Sequence, residues 1–289
     1  MSSFTLDQHR GFIRLKGQDA KTFLQGLITN DVEQVSPEKT IYTALLTPQG
    51  RYLFDFFISQ QDEDLLLDVD FNRLPDLVSL LKKYKLRSQV DIVAEESPQT
   101  VAYVFGEGAL AALDLDPSLG FTNRFGYVDP RLVALGARVT LTEQMLQDKG
   151  LIRADFDKFE ELRLQLGVPL AGPDLIVEKS IPLECGFDEL NAIGWEKGCY
   201  LGQELTARTK YRGLVRKRLL PVTIKGAAAE PMTPLLFNGQ EMGSMRSSYQ
   251  NQGMALIRLE VLETLGDGYL TTPDAKLTPH VLPWMKFHQ

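Results

Sequence analysis

Cysteine is scarce: Cys185 and Cys199 are the only two in 289 residues. A pair fourteen positions apart, without CxxC spacing, makes neither a disulfide framework nor a self-contained zinc or iron–sulfur site. The three histidines, His9, His280 and His288, lie near the termini, so a Ser-His-Asp hydrolase has little support. There is no P-loop, no HExxH, no repeat and no low-complexity tract. No apolar run reaches the roughly 18 residues that a membrane span needs. Residues 1–10 show neither a secretory pattern nor a basic amphipathic leader. These absences give the expectation of a soluble, reduced, bacterial-type cytoplasmic protein that does not engage a membrane.

What is present is ordinary in bulk: 44% hydrophobic, 24% charged, 23 Gly and 15 Pro. That excludes a disordered chain, collagen and a coiled-coil rod. The length suggests about two domains and a sizeable core. The net charge of −7 argues against a general nucleic-acid binder, but the charge is uneven. Residues 196–218 hold Lys197, Arg208, Lys210, Arg212, Arg216, Lys217 and Arg218 against Glu196 and Glu204. A second run, Lys82-Lys83-Tyr84-Lys85-Leu86-Arg87, has no acid. Such patches fit either a solvated face or an anionic partner.

Periodicity predicts strands at 11–15, 41–46, 51–59, 65–70, 90–94, 100–105, 125–128 and 137–141. It predicts helices over 18–27, 74–84, near 108–113, from Thr142 to Gly150, and over 154–166. The helix over 18–27 carries Ala20, Phe23, Leu24 and Leu27 on one face. Residues 169–198 read as an irregular stretch too long for an ordinary loop, hence functional. Short strands at 219–224, 235–237, 241–248, 253–258 and 269–272 indicate a small all-β C-terminal domain.

The informative segment is Lys197-Gly198-Cys199-Tyr200-Leu201-Gly202-Gln203-Glu204. It places one thiol between two glycines, ahead of a helix expected to start near Gly202. A helix N-terminus and nearby cations favour the thiolate form of a cysteine so placed. Glycine lets the backbone turn and leaves the sulfur accessible. The bland alternative, an inert buried cysteine, fits poorly with these polar and glycine neighbours, whereas Cys185 has no motif and reads as packing.

This octapeptide resembles the K-G-C-Y-x-G-Q-E signature of the YgfZ family. These are folate-binding proteins that support iron–sulfur enzymes, and they include a mitochondrial assembly factor. They are related in fold to the aminomethyltransferase (T-protein) of the glycine cleavage system. Further blocks carry the likeness along the chain: Phe23-Leu24-Gln25-Gly26-Leu27, Thr29-Asn30-Asp31-Val32, Leu45-Leu46-Thr47-Pro48-Gln49-Gly50-Arg51, Arg163-Leu164, Ile181-Pro182-Leu183-Glu184 and Leu205-Thr206-Ala207-Arg208-Thr209. The match is nearest the mitochondrial-type branch. The resemblance implies an α+β, three-domain T-protein-like fold with a central folate cavity and a C-terminal β-barrel. Residues 1–48 and 140–214 would form the first domain, 49–139 an insertion, and 215–289 the barrel.

The resemblance also implies a tetrahydrofolate-binding accessory protein for assembly, maturation or repair of iron–sulfur proteins. Cys199 would be the reactive thiol, with Lys197 and Arg208 as activating cations and Gly198, Tyr200, Gly202, Gln203 and Glu204 completing the motif. The thiol would take a persulfide, form a mixed disulfide, or ligate an iron–sulfur cluster shared with a partner, because one thiolate cannot hold a cluster alone. The folate contacts implied are Asp55, Arg10, Phe159, Glu184 and Arg163, although Phe159 fits the core face of its helix better. Partners would be folate and iron–sulfur assembly or client proteins, with the chain itself a monomer. Two rivals stand beside this reading. One is a folate-dependent one-carbon (aminomethyl) transferase, weakened because Phe54 stands where transferases have an acid. The other is an RNA-binding factor linked to tRNA modification, resting on the two basic runs.

Overall fold

A computed structural model describes residues 2–116, 121–123 and 126–286. The chain divides into two compact units. The first comprises Met1–Leu46, Leu53–Phe159 and Leu190–Leu201, and the second Thr47–Tyr52, Glu160–Glu189 and Gly202–Gln289.

The first unit is built on a ten-stranded mixed sheet. Its strands are β1 (Ser3–Lys16), β2 (Ile41–Leu46), β3 (Tyr52–Gln61), β4 (Asp64–Asp70), β5 (Asp91–Ala94), β6 (Gln99–Phe105), β7 (Phe121–Asn123), β8 (Gly126–Val128), β9 (Ala137–Val139) and β10 (Ile152–Arg153). The order is β2-β3-β4-β1-β6-β9-β8-β7, with β5 and β10 also paired to β1. Strand β1 is the axis. Its C-terminal half sets Arg10 opposite Asp70 and Leu15 opposite Leu65 on β4, and its N-terminal half sets Ser3 opposite Phe105 on β6. A register shift between Asp7 and Arg10 joins the halves. Past it, Ile13 and Leu15 are buried while Phe12 and Arg14 are half-buried, the period of two that a strand imposes.

Four helices accompany this sheet: α1 (Ala20–Gln25), α2 (Leu74–Lys85), α3 (Ala109–Ala112) and α4 (Glu143–Asp148). Leu74, Leu77 and Leu81 of α2 point into one core with Phe23, Leu24, Phe56 and Leu67. A second core gathers Phe4, Val104, Val128 and Leu146. The α4 helix starts on Thr142, whose hydroxyl accepts from the Met145 amide, as the sequence predicts. Helix α5 (Phe156–Gln165) follows, and the boundary between the units falls inside it.

The second unit holds α6 (Gln203–Tyr211) and a closed six-stranded barrel. The barrel strands are β11 (Lys217–Gly226), β12 (Pro234–Phe237), β13 (Gln240–Tyr249), β14 (Gln252–Arg258), β15 (Leu270–Thr271) and β16 (Ala275–Pro279), with α7 (Leu259–Leu265) between β14 and β15. Leu220, Val222 and Ile224 alternate into the barrel core with Leu235, Met245, Ile257 and Leu277. Closure leaves no free strand edge, which a small all-β unit must manage. Among the described residues no helix is long and apolar enough to cross a membrane.

Differences from the sequence expectations have local causes. The β1 strand begins at Ser3 rather than residue 11, because the register shift breaks alternation through Asp7-Gln8-His9-Arg10. The expected helix over 18–27 is trimmed to Ala20–Gln25. Helix α7 and strands β10 and β16 are too short to show a period. Phe125, expected to open a strand, lies outside the described residues, and β8 begins at Gly126.

Candidate functional site

The segment carrying Cys199 has no regular secondary structure, yet it is tightly held to the corner after α1 in the first unit. Thr29 Oγ1 donates to the Ala192 carbonyl at 2.6 Å. Asn30 Nδ2 donates to the carbonyls of Tyr42 (2.8 Å) and Asn191 (2.7 Å). The amides of Gly194 and Leu201 donate to the carbonyls of Thr29 and Gly26. A Cβ added at Gly194 would lie 3.0 Å from the Asp31 amide nitrogen, so glycine permits the close approach.

Lys197 completes the clamp. Its Nζ donates to three backbone carbonyls, Gln25 at 2.8 Å, Ile28 at 2.7 Å and Asn30 at 2.7 Å. It also sits 5.1 Å from the centre of the Tyr200 ring. Burial pushes the Lys197 ammonium down to about 8, with Asp31 opposing, so it stays charged at neutral pH. The role expected of Lys197 therefore changes. All three ammonium hydrogens are directed at backbone oxygens, and the residue anchors the loop rather than activating the thiol.

Between the two buried anchors, Lys197 and Tyr200, residues Gly198 and Cys199 are exposed. Nothing lies within 4 Å of a Cβ placed on Gly198. The motif thus builds a fixed pedestal with the thiol at its open tip. Its remaining residues begin the second unit: Gly202 caps α6 with φ of 84°, Gln203 and Glu204 occupy the first turn, and Arg208 is exposed on the helix. Cys185 is the opposite case. Burial first, then Glu184, pushes its thiol up to about 12, and a bond from Ser180 only partly opposes this. At pH 8 its thiolate fraction is on the order of 10⁻⁴. Iodoacetamide at pH 8 is expected to label Cys199 at least about a hundredfold faster than Cys185, read on the two peptides by mass spectrometry. Cys185 labelling should climb about tenfold per pH unit. The fold should lose stability as pH rises from about 9, because the unfolded thiol ionises first.

The five residues implied as folate contacts meet different fates. Arg10 donates from Nε to Asp68 at 2.7 Å and is held in that pair. Phe159 is packed with Tyr103, ring centres 4.4 Å apart, and with Phe105 and Phe156, so it is core. Arg163 is fully buried in the second unit, bonded to Glu160, the Val168 carbonyl, Asp174 and Ser247. Phe159 and Arg163 are structural, because the ring of one and the guanidinium of the other are already matched, whereas Arg10 is tied to Asp68 through Nε alone. Asp55 is half-buried and accepts from the Tyr42 hydroxyl at 2.9 Å. Glu184 lines a cavity in the second unit. Burial raises its carboxyl, while Lys217 and Arg51 pull it down less strongly. Phe54, in place of the transferase acid, lies under the Arg73 guanidinium at 4.2 Å.

Sequence reasoning missed a buried network beside Asp55 and Arg10 in the first unit. Asp68 Oδ2 accepts from Arg138 Nη2 (2.7 Å) and Tyr127 Oη (3.0 Å). Burial pushes the Asp68 carboxyl up, but Arg10 and Arg138 together hold it below the usual range. Arg138 lies over the rings of Phe57 (4.4 Å) and Tyr103 (4.6 Å), and Arg131, paired with Asp129, lies over Phe57 at 5.0 Å. These residues sit on β1, β3, β4, β6, β8 and β9 and, for Asp129 and Arg131, on the β8–β9 connection, without a shared motif, so only alternation along the strands hinted that they converge.

The basic run 196–218 is also thinner than its sequence suggests. Lys197 is buried, Lys210 pairs with Asp188 at 2.9 Å, and Arg218 pairs with Glu189 at 2.6 Å and is buried. Arg208, Arg212, Arg216 and Lys217 remain exposed.

The sheet of the first unit and the closed barrel of the second are the elements of a T-protein-like fold. A solved glycine cleavage aminomethyltransferase T from Bartonella henselae matches 99% of this chain and 87% of its own, with a TM-score of 0.77 at 17% identity. The family described as "GCVT N-terminal domain" matches residues 7–114, and "CAF17, C-terminal beta-barrel domain" matches 216–287. Mitochondrial iron–sulfur cluster assembly factor IBA57 of Mus musculus is 30% identical over 95% of this chain and 82% of its own. Its homologue in Pyricularia oryzae is 32% identical over 91% and 74%. That of Mycosarcoma maydis is 29% identical over 93% and 76%. The chain belongs to the family of iron–sulfur cluster assembly factor IBA57 homologues. This overturns the cytoplasmic expectation drawn from composition, since these relatives are mitochondrial proteins.

Proposed function

We propose that this chain acts in the assembly of iron–sulfur proteins by presenting Cys199 to a partner. The observation that carries the reading is the pedestal: an exposed thiol fixed between Lys197 and Tyr200, both buried. Family membership supplies the direction, since the relatives are named as iron–sulfur cluster assembly factors. Among the described residues no group of three or more His, Cys, Asp or Glu is placed to hold a metal. A cluster, as cargo, therefore needs ligands from the partner beside the single Cys199 thiolate. The same thiol is open to a persulfide or a mixed disulfide. Complementation by Cys199→Ser in cells lacking this chain tests the reading.

Tetrahydrofolate binding is the second part of the proposal. It rests on Asp55, a half-buried carboxylate beside the rings of Tyr42 and Phe57, whose centres are 5.2 Å apart. A carboxylate accepts from the N–H edge of a pterin, and aromatic neighbours suit its flat ring. Phe159 and Arg163 are spent on packing and ion pairing, and Arg10 is held by Asp68 through Nε, so weak binding is expected. Calorimetry should give a dissociation constant below a millimolar, with Asp55→Asn weakening it about tenfold or more. No heat from the folded protein at millimolar tetrahydrofolate would remove folate from the account and leave the thiol reading standing. A single carboxylate beside Phe54 argues against aminomethyl transfer, and none is expected with a glycine cleavage carrier protein.

A further inference from the structure

The second unit carries a partly open cavity of about 260 Å³ whose walls come from the Arg51 turn, the 174–185 segment and barrel strands β11, β13 and β14. Arg51, Lys179, Lys217 and Arg246 line it, with Asp174, Glu184 and the Cys185 thiol. Asp174 is already committed, accepting from Arg163 Nη1 at 2.7 Å, Ser247 Oγ at 2.6 Å and the Leu170 amide at 2.9 Å. Four cations therefore line the cavity against two carboxylates, Asp174, already bonded, and Glu184, which lies near Lys217 and Arg51.

Arg246 is the telling group. Five arginines are buried among the described residues. Four have a carboxylate oxygen at hydrogen-bond distance: Arg131 with Asp129 (2.7 Å), Arg138 with Asp68 (2.7 Å), Arg163 with Asp174 (2.7 Å) and Arg218 with Glu189 (2.6 Å). Arg246, only 6% exposed, has none among the described residues. Its bonds all leave from Nη1, to Ser244 Oγ (2.8 Å), the Met245 carbonyl (2.9 Å) and Met232 Sδ (3.3 Å). Nε and Nη2, the remaining edge of the fork, have no protein acceptor among the described residues. A buried guanidinium with no carboxylate bonded to it is costly, and the other four buried arginines among the described residues are each matched.

We propose that this cavity binds a small molecule through an oxyanion group, carboxylate or phosphate, taken by the free edge of Arg246 and flanked by Arg51, Lys179 and Lys217. The fork geometry of guanidinium suits two oxygens of one anion. The volume, at about 30 Å³ per water, admits a ligand of roughly ten non-hydrogen atoms, below drug size. Cys185 contributes a neutral thiol to the wall. The cavity lining includes neither Cys199 nor Asp55, and the proposal does not depend on the reading given for them.

The test titrates the whole chain with inorganic phosphate and with glutarate, each against sodium chloride at matched ionic strength, by calorimetry and thermal unfolding. At ten times the dissociation constant, a bound anion shifts the unfolding equilibrium about elevenfold toward the folded state. Expected is a dissociation constant of at most a few millimolar for one of the two, and the tighter one assigns the ligand class. Arg246→Met should weaken it at least about tenfold, whereas Arg258→Met, an exposed arginine, should not. Lys179→Met, at an exposed position, serves if Arg246→Met does not fold, and should weaken binding several-fold. The proposal is overturned if neither anion stabilises beyond chloride, or if the cavity variants bind as the parent does. Cys199→Ser and Asp55→Asn should bind the anion normally, so failure here and failure of the thiol or folate reading are read separately.

Discussion

Cells that lack this chain and carry its Cys199→Ser variant should show iron–sulfur enzyme activity at least about tenfold below cells carrying the parent, at equal protein level. The expectation follows from what the substitution keeps and what it removes. Cys199 is exposed, and neither the three Lys197 bonds nor the burial of Tyr200 involves its sulfur. An exposed substitution of similar size changes stability by about 0.5 kcal/mol or less, so the melting temperature should hold within a few degrees. What goes is the thiolate, the form that ligates iron and attacks sulfur. A serine hydroxyl ionises far above physiological pH and is a poor ligand for soft metal centres. Purified Cys199→Ser should also bind tetrahydrofolate and the cavity anion like the parent. Full complementation would mean that the thiol is not the working group, and the exposed face of Arg208, Arg212, Arg216 and Lys217 would become the next candidate.

How much of this was legible beforehand differs by kind of residue. The α2 helix and the barrel strands were readable because Leu74, Leu77 and Leu81, or Leu220, Val222 and Ile224, repeat at the period their element imposes. The exposed cysteine was readable because its glycine neighbours are local in sequence. Charge was the least legible property. Lys197 and Arg218 look like surface cations in a basic run, yet one binds three carbonyls and the other a buried glutamate. Arg10 and Arg163 look like ligand contacts until their carboxylates, 58 and 11 positions away, are seen beside them. A side chain's type says which partners it accepts, and only the fold says whether one has already been supplied. The same reasoning exposes Arg246, whose sequence context Met245-Arg246-Ser247 gives no hint that, among the described residues, it is the buried arginine with no carboxylate bonded to it.

Replacing Lys197 by methionine should cost about 3 kcal/mol or more of folding stability, measured by urea unfolding with an unchanged slope. Methionine fills nearly the same volume and tolerates burial, so the loss isolates the three hydrogen bonds rather than packing. The carbonyls of Gln25, Ile28 and Asn30 converge on the ammonium at 2.7–2.8 Å, and two of these bonds are fully buried. Without a donor, each buried carbonyl keeps its desolvation penalty of about 1–3 kcal/mol. Partial relaxation or water entry keeps the total at the lower end of the sum. Arginine should not rescue fully, because a planar guanidinium cannot direct three hydrogens at one compact ring of oxygens. The consequence for function comes through position: the loop from Leu190 to Leu201 loses its deepest anchor, and the Cys199 tip loosens with it. Backbone amides of residues 194–201 should therefore exchange faster in Lys197→Met under native conditions, while the barrel amides of β11 and β14 keep the parent's protection. A cost below about 1 kcal/mol, or exchange unchanged in this segment, would show that the pedestal is held by its other bonds and that Lys197 is conformationally dispensable.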